Sequence, residues 1–325
     1  MGKVVVLATG GTIASVSTGS TGAIASRTAA ELMVGDAPQD TRVESRDVLN
    51  IGSYLMNFAS MRTVAEAAHE KLLRDDVDGV VISHGTDTLE ETAALLDAVH
   101  ASPKPIVLTG AQLPADHPSA DGPGNLRQAV EVAASPIARS RGVLIAFRGE
   151  IFAGMGTVKA DTLAPQPFAS VSGGPLGRVG SDGVQFFAIA ERPDALPMPV
   201  EAFDRTRVDV VVLYPGADAS LCEAAESAGA QAVILLGTGS GNGNHAILTW
   251  LEGARDRGIV VALSTRVPRG PVVPLYGNGG GTDLIAAGAV RIESLPATQA
   301  RILMALHLSA GREVTSESFR RGPRE

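Results

Sequence analysis

Short, unbroken apolar runs recur along this chain, and they constrain its fold more than any other feature. Four lie in the first part, Val4 to Ala8, Val77 to Ser83, Pro105 to Leu108 and Gly142 to Phe147, separated by segments with helical spacing. A strand that is apolar without alternation is buried on both faces, which calls for a parallel sheet with helical crossovers on either side. The predicted fold is therefore α/β, with a larger N-terminal, doubly wound, mostly parallel sheet over residues 1–187. Three later runs, Asp209-Val-Val-Val-Leu-Tyr, Gln231-Ala-Val-Ile-Leu-Leu-Gly and Gly258-Ile-Val-Val-Ala-Leu-Ser, repeat the pattern and predict a smaller C-terminal α/β domain, Rossmann-like, over 208–325. Between them, 188–207 carries Pro193, Pro197 and Pro199 among mixed charges and reads as a linker. A chain of 325 residues is long enough for two such cores.

Two helices stand out between the strands. Leu89, Ala93, Leu96 and Val99 form one stripe, and Thr88-Leu-Glu-Glu91 in front of it predicts a capping box. Leu126, Val130, Ala133 and Ile137 form a second stripe after the turn-rich Ser119-Ala-Asp-Gly-Pro123. A last helix is expected around Ala297 to Ser309, followed by a charged, frayed tail from Gly311.

A net charge of -8 lacks the clustered cations of a nucleic-acid groove, and no apolar run is long enough for a membrane span. The single cysteine, Cys222, reads as a helix core residue, and the six histidines show no metal-ligand spacing. Neither metal nor cofactor is expected. The N-terminus enters its first strand within two residues, too soon for a signal peptide, so the expected compartment is the cytoplasm.

In an open parallel sheet, ligands bind beyond the carboxyl ends of the strands. Two loops there carry unusual chemistry. In Thr9-Gly-Gly-Thr12, paired glycines suit either a tight turn or close approach of backbone to a ligand, with a hydroxyl beside them. The segment lacks the third glycine and the phosphate-loop lysine of nucleotide motifs. In His84-Gly-Thr-Asp87, Thr88 already serves the helix cap, which leaves Thr86 and Asp87 over. Lysine is scarce, with only Lys3, Lys71, Lys104 and Lys159 among 27 basic residues. Lys159, amid small residues, is either a structural lysine paired with a carboxylate such as Asp161 or a desolvated amine able to act as a base toward a hydroxyl.

Taken together these segments resemble the L-asparaginase family over essentially the whole chain. The resemblance rests on Leu7-Ala-Thr-Gly-Gly-Thr-Ile-Ala14 and Val81-Ile-Ser-His-Gly-Thr-Asp-Thr-Leu-Glu-Glu-Thr92, in order and at the family's separation. Ser119-Ala-Asp-Gly-Pro123 with Asn125, Gly174-Pro-Leu-Gly177, Gly241-Asn-Gly-Asn244 and Arg266-Val-Pro268 extend it. The resemblance implies a cofactor-free amidohydrolase converting L-asparagine, and in a relaxed form L-glutamine, to the acid and ammonia; the alternative is a catalytically weak amino-acid sensor. It further implies Thr12, Thr86, Asp87 and Lys159 as catalytic residues, with either threonine as nucleophile. Gly11, Ser53, Tyr54, Thr86, Asp87, Ala111 and Asn244 are implied in substrate binding, Asn244 from a neighbouring subunit of a homotetramer built from dimers.

Three departures from the family pattern accompany the match. The segment Ser15 to Leu32 has no tyrosine to support the first threonine, Ser53 is followed by Tyr54 rather than Gln or Glu, and no glutamate follows the Arg-Val-Pro motif.

Overall fold

The computed structural model describes residues 2–17, 23–32 and 41–320. The contacts divide the chain into two units, Met1–Met198 and Pro199–Glu325.

In chain order the first unit runs β1 (Gly2–Gly10), the paired short strands β2 (Ser15–Ser17) and β3 (Ala23–Ala25), a single turn α1 (Ala29–Leu32), β4 (Thr41–Ile51), α2 (Phe58–Leu72), β5 (Gly79–Ser83) and α3 (Leu89–Val99). It continues with β6 (Ile106–Thr109), α4 (Gly122–Ala134), β7 (Val143–Phe147), β8 (Glu150–Ala153), β9 (Thr157–Lys159), β10 (Phe168–Ser170), β11 (Gly177–Gly180) and β12 (Gly183–Phe186). One eight-stranded sheet has the order β12-β11-β8-β7-β6-β5-β1-β4. From β4 to β7 its neighbours are parallel, and from β7 to β12 they are antiparallel.

Every residue of β5, β6 and β7 is buried, as expected of strands covered on both faces. Residues Val4, Val6, Val81, Val107 and Leu144 share one cluster with Leu126, Ala129, Val130 and Ala133 of α4. The predicted mostly parallel sheet is present, and β4 and the antiparallel strands β8 to β12 are additional to the runs read from the sequence.

Two local expectations are corrected. Thr88 caps α3 by position but accepts no cap hydrogen bond; its hydroxyl donates instead to the Ser53 carbonyl at 2.8 Å. Ile137 does not continue the stripe of α4, because Pro136 cannot extend the helix and Ser135 turns extended, leaving Ile137 half exposed in a 3-10 turn.

Residues 188–198 lie on the first unit. Arg192 pairs with Asp97 at 2.9 Å and donates to the carbonyl of His100, and the Leu196 amide donates to Ala98.

The second unit has α5 (Glu201–Asp204), β13 (Val208–Val212), α6 (Ser220–Ser227), β14 (Ala232–Gly237), α7 (His245–Ala254), β15 (Val260–Thr265), α8 (Gly281–Ala286), β16 (Val290–Arg291) and α9 (Ala297–Ser309). Its four strands are all parallel, in the order β13-β14-β15-β16. Cys222 is fully buried on α6, where burial pushes the thiol up to about 11 and leaves it unreactive. The tail expected to fray from Gly311 is packed as far as Phe319, which is buried together with Val314 after a short 3-10 turn. Residues 321–325 lie outside the described residues.

Candidate active site

The order β4-β1-β5-β6 aligns four parallel carboxyl ends in one row, and the loops that leave them bring distant segments together. Ser53 follows β4, Thr12 follows β1, Thr86 and Asp87 follow β5, and Ala111 follows β6. At the end of β1 the register with β4 shifts between Ala8 and Gly10, and Gly10 and Gly11 take φ values of 101° and 79° that L side chains rarely adopt.

Gly11 is also required by space. A β-carbon there would lie 2.4 Å from the Cα of Gly85, and one on Gly85 would lie 2.5 Å from Ser53 Oγ. These two bare backbones in contact set Thr12, Thr86 and Ser53 side by side. A tight turn and a close approach, open alternatives for this glycine pair in the sequence, are both present, the second toward another loop.

Thr12 is half buried, and neither its hydroxyl nor its amide makes a hydrogen bond to any described residue. The Gly11 amide, in contrast, is consumed by the Ile51 carbonyl at 3.0 Å and has no proton left for a substrate oxygen. The Ser15 hydroxyl donates back to the Gly11 carbonyl at 2.8 Å and braces the same turn. Residues 18–22, within the segment that lacks the family tyrosine, are outside the described residues.

Thr86 is buried and its hydroxyl is fully engaged. It accepts from Lys159 Nζ at 2.9 Å, and its own proton points to Gln112 Oε1 at 3.4 Å. Lys159 Nζ also donates to Asp87 Oδ1 at 2.8 Å, so one ammonium holds both residues. Asp161, the alternative partner considered for Lys159, instead accepts the amides of Leu163 and Ala164, which hold its carboxyl below the usual range. The backbone of Lys159 is placed by Glu90, whose carboxylate accepts its amide at 2.7 Å. The Asp87 amide donates to Ser53 Oγ at 3.2 Å, extending a chain of contacts through Ser53, Asp87, Lys159 and Thr86.

His84 braces the start of the loop that carries Thr86 and Asp87. Its Nδ1 lies 2.7 Å from the Gly85 carbonyl and its Nε2 3.0 Å from the Thr92 hydroxyl. A carbonyl only accepts, so Nδ1 carries the proton and Nε2 accepts from Thr92. Full burial pushes the ring down to about 4, and it serves as a neutral brace.

Sequence reasoning missed Gln112 and Glu90. Gln112 adjoins Ala111, and its amide nitrogen donates to the Thr162 and Ala164 carbonyls, tying Thr86 to the segment after Lys159. Tyr54 is exposed with its ring against Gly52, and Ala111 is buried in the loop after β6. Asn244 lies in the second unit and caps α7, accepting from the Ile247 amide at 3.1 Å and donating to the Ala217 carbonyl at 2.7 Å.

Residues 3–192 match the family profile described as Asparaginase, N-terminal, and residues 207–318 match the Glutaminase/Asparaginase C-terminal domain. Among curated relatives, a protein of Deinococcus radiodurans named probable L-asparaginase is 36% identical over 87% of this chain and 87% of its own length. A probable periplasmic L-asparaginase of Haemophilus influenzae is 34% identical over 94% of this chain and 88% of its own. A glutaminase-asparaginase of Pseudomonas fluorescens biotype A is 34% identical over 84% of this chain and 78% of its own.

Proposed function

The chain belongs to the asparaginase family, and from that premise we propose that it hydrolyses the side-chain amide of L-asparagine to L-aspartate and ammonia through a threonine nucleophile. The observation that carries this reading is a Thr12 hydroxyl without a hydrogen bond among the described residues, in the loop packed against the one where the Thr86 hydroxyl is already tied to an amine. A nucleophile must be approachable, which favours Thr12 in that role.

Thr12 Oγ1 adds to the carboxamide carbon, and the developing oxyanion is met by backbone amides that include that of Thr12. Thr86, Lys159 and Asp87 form the second catalytic group: in its neutral form the Lys159 amine accepts the Thr12 hydroxyl proton through Thr86 as Oγ1 attacks, and the ammonium so formed returns it to the departing nitrogen. The C–N bond breaks, ammonia leaves, and water then cleaves the β-aspartyl ester to free aspartate and restore the threonine. Ser53 binds the substrate α-carboxylate. Asp87 binds the ammonium through Oδ2, since Oδ1 is held by Lys159.

Ala111 contributes a backbone contact, Gly11, whose amide and carbonyl are already bonded, contributes van der Waals contact only, and Tyr54 lines the entrance. Asn244 completes the site from a neighbouring copy within a homotetramer built from dimers. Its cap bonds use one lone pair of Oδ1 and one proton of Nδ2, leaving one of each for substrate.

A relaxed specificity that includes L-glutamine is the second reading, favoured by the similarity to the Pseudomonas glutaminase-asparaginase. We place the enzyme in the cytoplasm; the similarity to a relative named periplasmic makes cell fractionation the test. For the activity, ammonia and aspartate released from L-asparagine and from L-glutamine are measured beside ligand-induced melting shifts. Stoichiometric ammonia and aspartate support the proposal, and a melting shift without turnover replaces the enzyme with a sensor.

A further inference from the structure

Gln112 stands between the Thr86 hydroxyl and the loop that follows Lys159, and its orientation is not free. Its Nε2 lies 3.0 Å from the Ala164 carbonyl and 3.3 Å from that of Thr162. Carbonyls only accept, so the nitrogen must face them, and a flipped amide would set oxygen against oxygen. Oε1 is thereby turned to Thr86, 3.4 Å from its Oγ1. The main chain is fixed as well, because the Gln112 and Leu113 amides both donate to the Asp121 carboxylate.

An amide oxygen has no proton to give. The Thr86 hydroxyl is therefore the donor in this contact, and its lone pairs are left for Lys159 Nζ at 2.9 Å. Among the described residues these are the two partners of that hydroxyl. The arrangement belongs to one protonation state. When Nζ is an ammonium it donates to Thr86, and the threonine proton goes to Gln112. When Nζ is a neutral amine, its lone pair competes with Oε1 for that same proton, and a hydroxyl cannot serve both acceptors.

We propose that Gln112 is a positioning residue for the Thr86–Lys159 relay: its Oε1 holds the Thr86 proton aside while Lys159 is an ammonium and yields it when the amine is neutral. The switch stands on these contacts, and its part in catalysis rests on the amidohydrolase reading above. As Thr12 attacks, its proton passes to Thr86 Oγ1 while the Thr86 proton passes to Nζ; the hydroxyl then turns back to Oε1. Gln112 takes up no proton itself. It favours the ammonium by one hydrogen bond, which holds the proton until the departing nitrogen collects it. The charged groups on the surrounding elements are Asp87 on Nζ, Glu90 at the Lys159 amide with Glu91 next to it on α3, Asp161 in the following turn, and Asp121 behind Gln112. None of them is altered by a substitution at position 112.

The lysines of the chain are Lys3, Lys71, Lys104 and Lys159, so full-length protein isotope-labelled at lysine Cε gives few NMR signals, and Lys159→Met identifies the one that matters. Gln112→Met is expected to move the titration midpoint of that signal down by about half a pH unit, a threefold weaker hold on the proton, the scale of one weak hydrogen bond. Gln112→Glu sets a carboxylate where the amide oxygen was and is expected to move the midpoint up by at least as much. Both variants forfeit the same two Nε2 bonds, so a loss of packing alone would shift them alike. Opposite shifts of these signs support the assignment; an unmoved midpoint in either variant, or two shifts of one sign, overturns it.

Ammonia release from L-asparagine by the same samples separates the switch from the reaction. The acid limb of kcat/KM is expected to follow each midpoint. A limb that ignores the midpoints takes the relay, and Gln112 with it, out of catalysis. A parent protein that releases no ammonia overturns the amidohydrolase reading, while the midpoints still decide the contact between Gln112 and Thr86.

Discussion

Gly11 and Gly85 meet backbone to backbone, so closely that a β-carbon on Gly11 would stand 2.4 Å from both the Cα and the amide nitrogen of Gly85. This contact sets the spacing between Thr12 and Thr86, and neither loop can move without the other.

Gly11→Ala therefore combines a left-handed backbone with a clash against main chain, which cannot rotate aside as a side chain would. We expect a loss of roughly 2 kcal/mol or more and loss of turnover. Calorimetric melting and ammonia release check both, and an alanine variant that melts and turns over like the parent contradicts the described contact.

Thr12→Ala and Thr86→Val remove hydroxyls without disturbing the sheet. Each is expected to lower kcat by about a thousandfold or more while the melting temperature stays within a few degrees, and Thr12→Ser is expected to recover part of the rate. Full activity in either deletion variant removes that residue from the mechanism.

Lys159 reaches Thr86 and Asp87 with one nitrogen. In Lys159→Arg the charge is retained, but a planar fork cannot stand in for a compact amine or give up its proton near neutral pH. We expect the arginine variant to be nearly as impaired as Lys159→Met in steady-state kinetics. An active arginine variant would show that the lysine acts only by its charge.

The parts legible in the sequence share a physical reason. Strands β1, β5, β6, β7, β14 and β15 each lie between two neighbours, so their composition is apolar and shows without context. Strand β13, an edge strand with Val210 and Val212 exposed, keeps an apolar run all the same. β4 is an edge strand with half-exposed residues, and Thr-Arg-Val-Glu-Ser-Arg-Asp carries no apolar run to betray it. The loops of Thr12 and Thr86 stood out because glycine beside a hydroxyl is unusual after a buried strand. Gln112 and Glu90 did not, since their significance lies in contacts with Thr86 and Lys159 that only folding creates. The Thr88 hydroxyl was misassigned for the same reason: its local partner lost to a carbonyl brought in from Ser53.

Away from the site, Asp97 is buried and accepts from Arg192 at 2.9 Å and from the Val143 amide at 3.1 Å. Arg192→Ala leaves that carboxylate without its counter-charge, and a loss of about 3 kcal/mol is expected in urea unfolding. Adding Asp97→Asn should recover much of it. A single variant as stable as the parent shows that the pair contributes little.

Stability should also fall as pH drops through a defined window. His84 and His100 are held neutral to about pH 4 in the folded chain, against an ordinary value of 6.5. The unfolded chain takes up these protons first, so stability is lost progressively from about pH 6.5 to about pH 4, at up to about 1.4 kcal/mol per pH unit for each ring. Asp97, whose carboxyl burial pushes upward, acts with the opposite sign. Urea midpoints at pH 7, 6 and 5 measure the slope, which His100→Leu should roughly halve; a flat profile shows that the rings titrate alike in both states.

The half-exposed edge at β4 carries a further consequence, for behaviour in concentrated solution. Arg74 bridges to Glu44 and Arg46 to Glu70 along it, and such charges deter a foreign strand from adding to the open ladder. Because Ser53 hangs from the end of this same strand, an intruding segment would distort the proposed substrate site as it began a fibril-like stack. Neutralising Glu44 and Arg46 would then diminish catalysis and colloidal stability by one event.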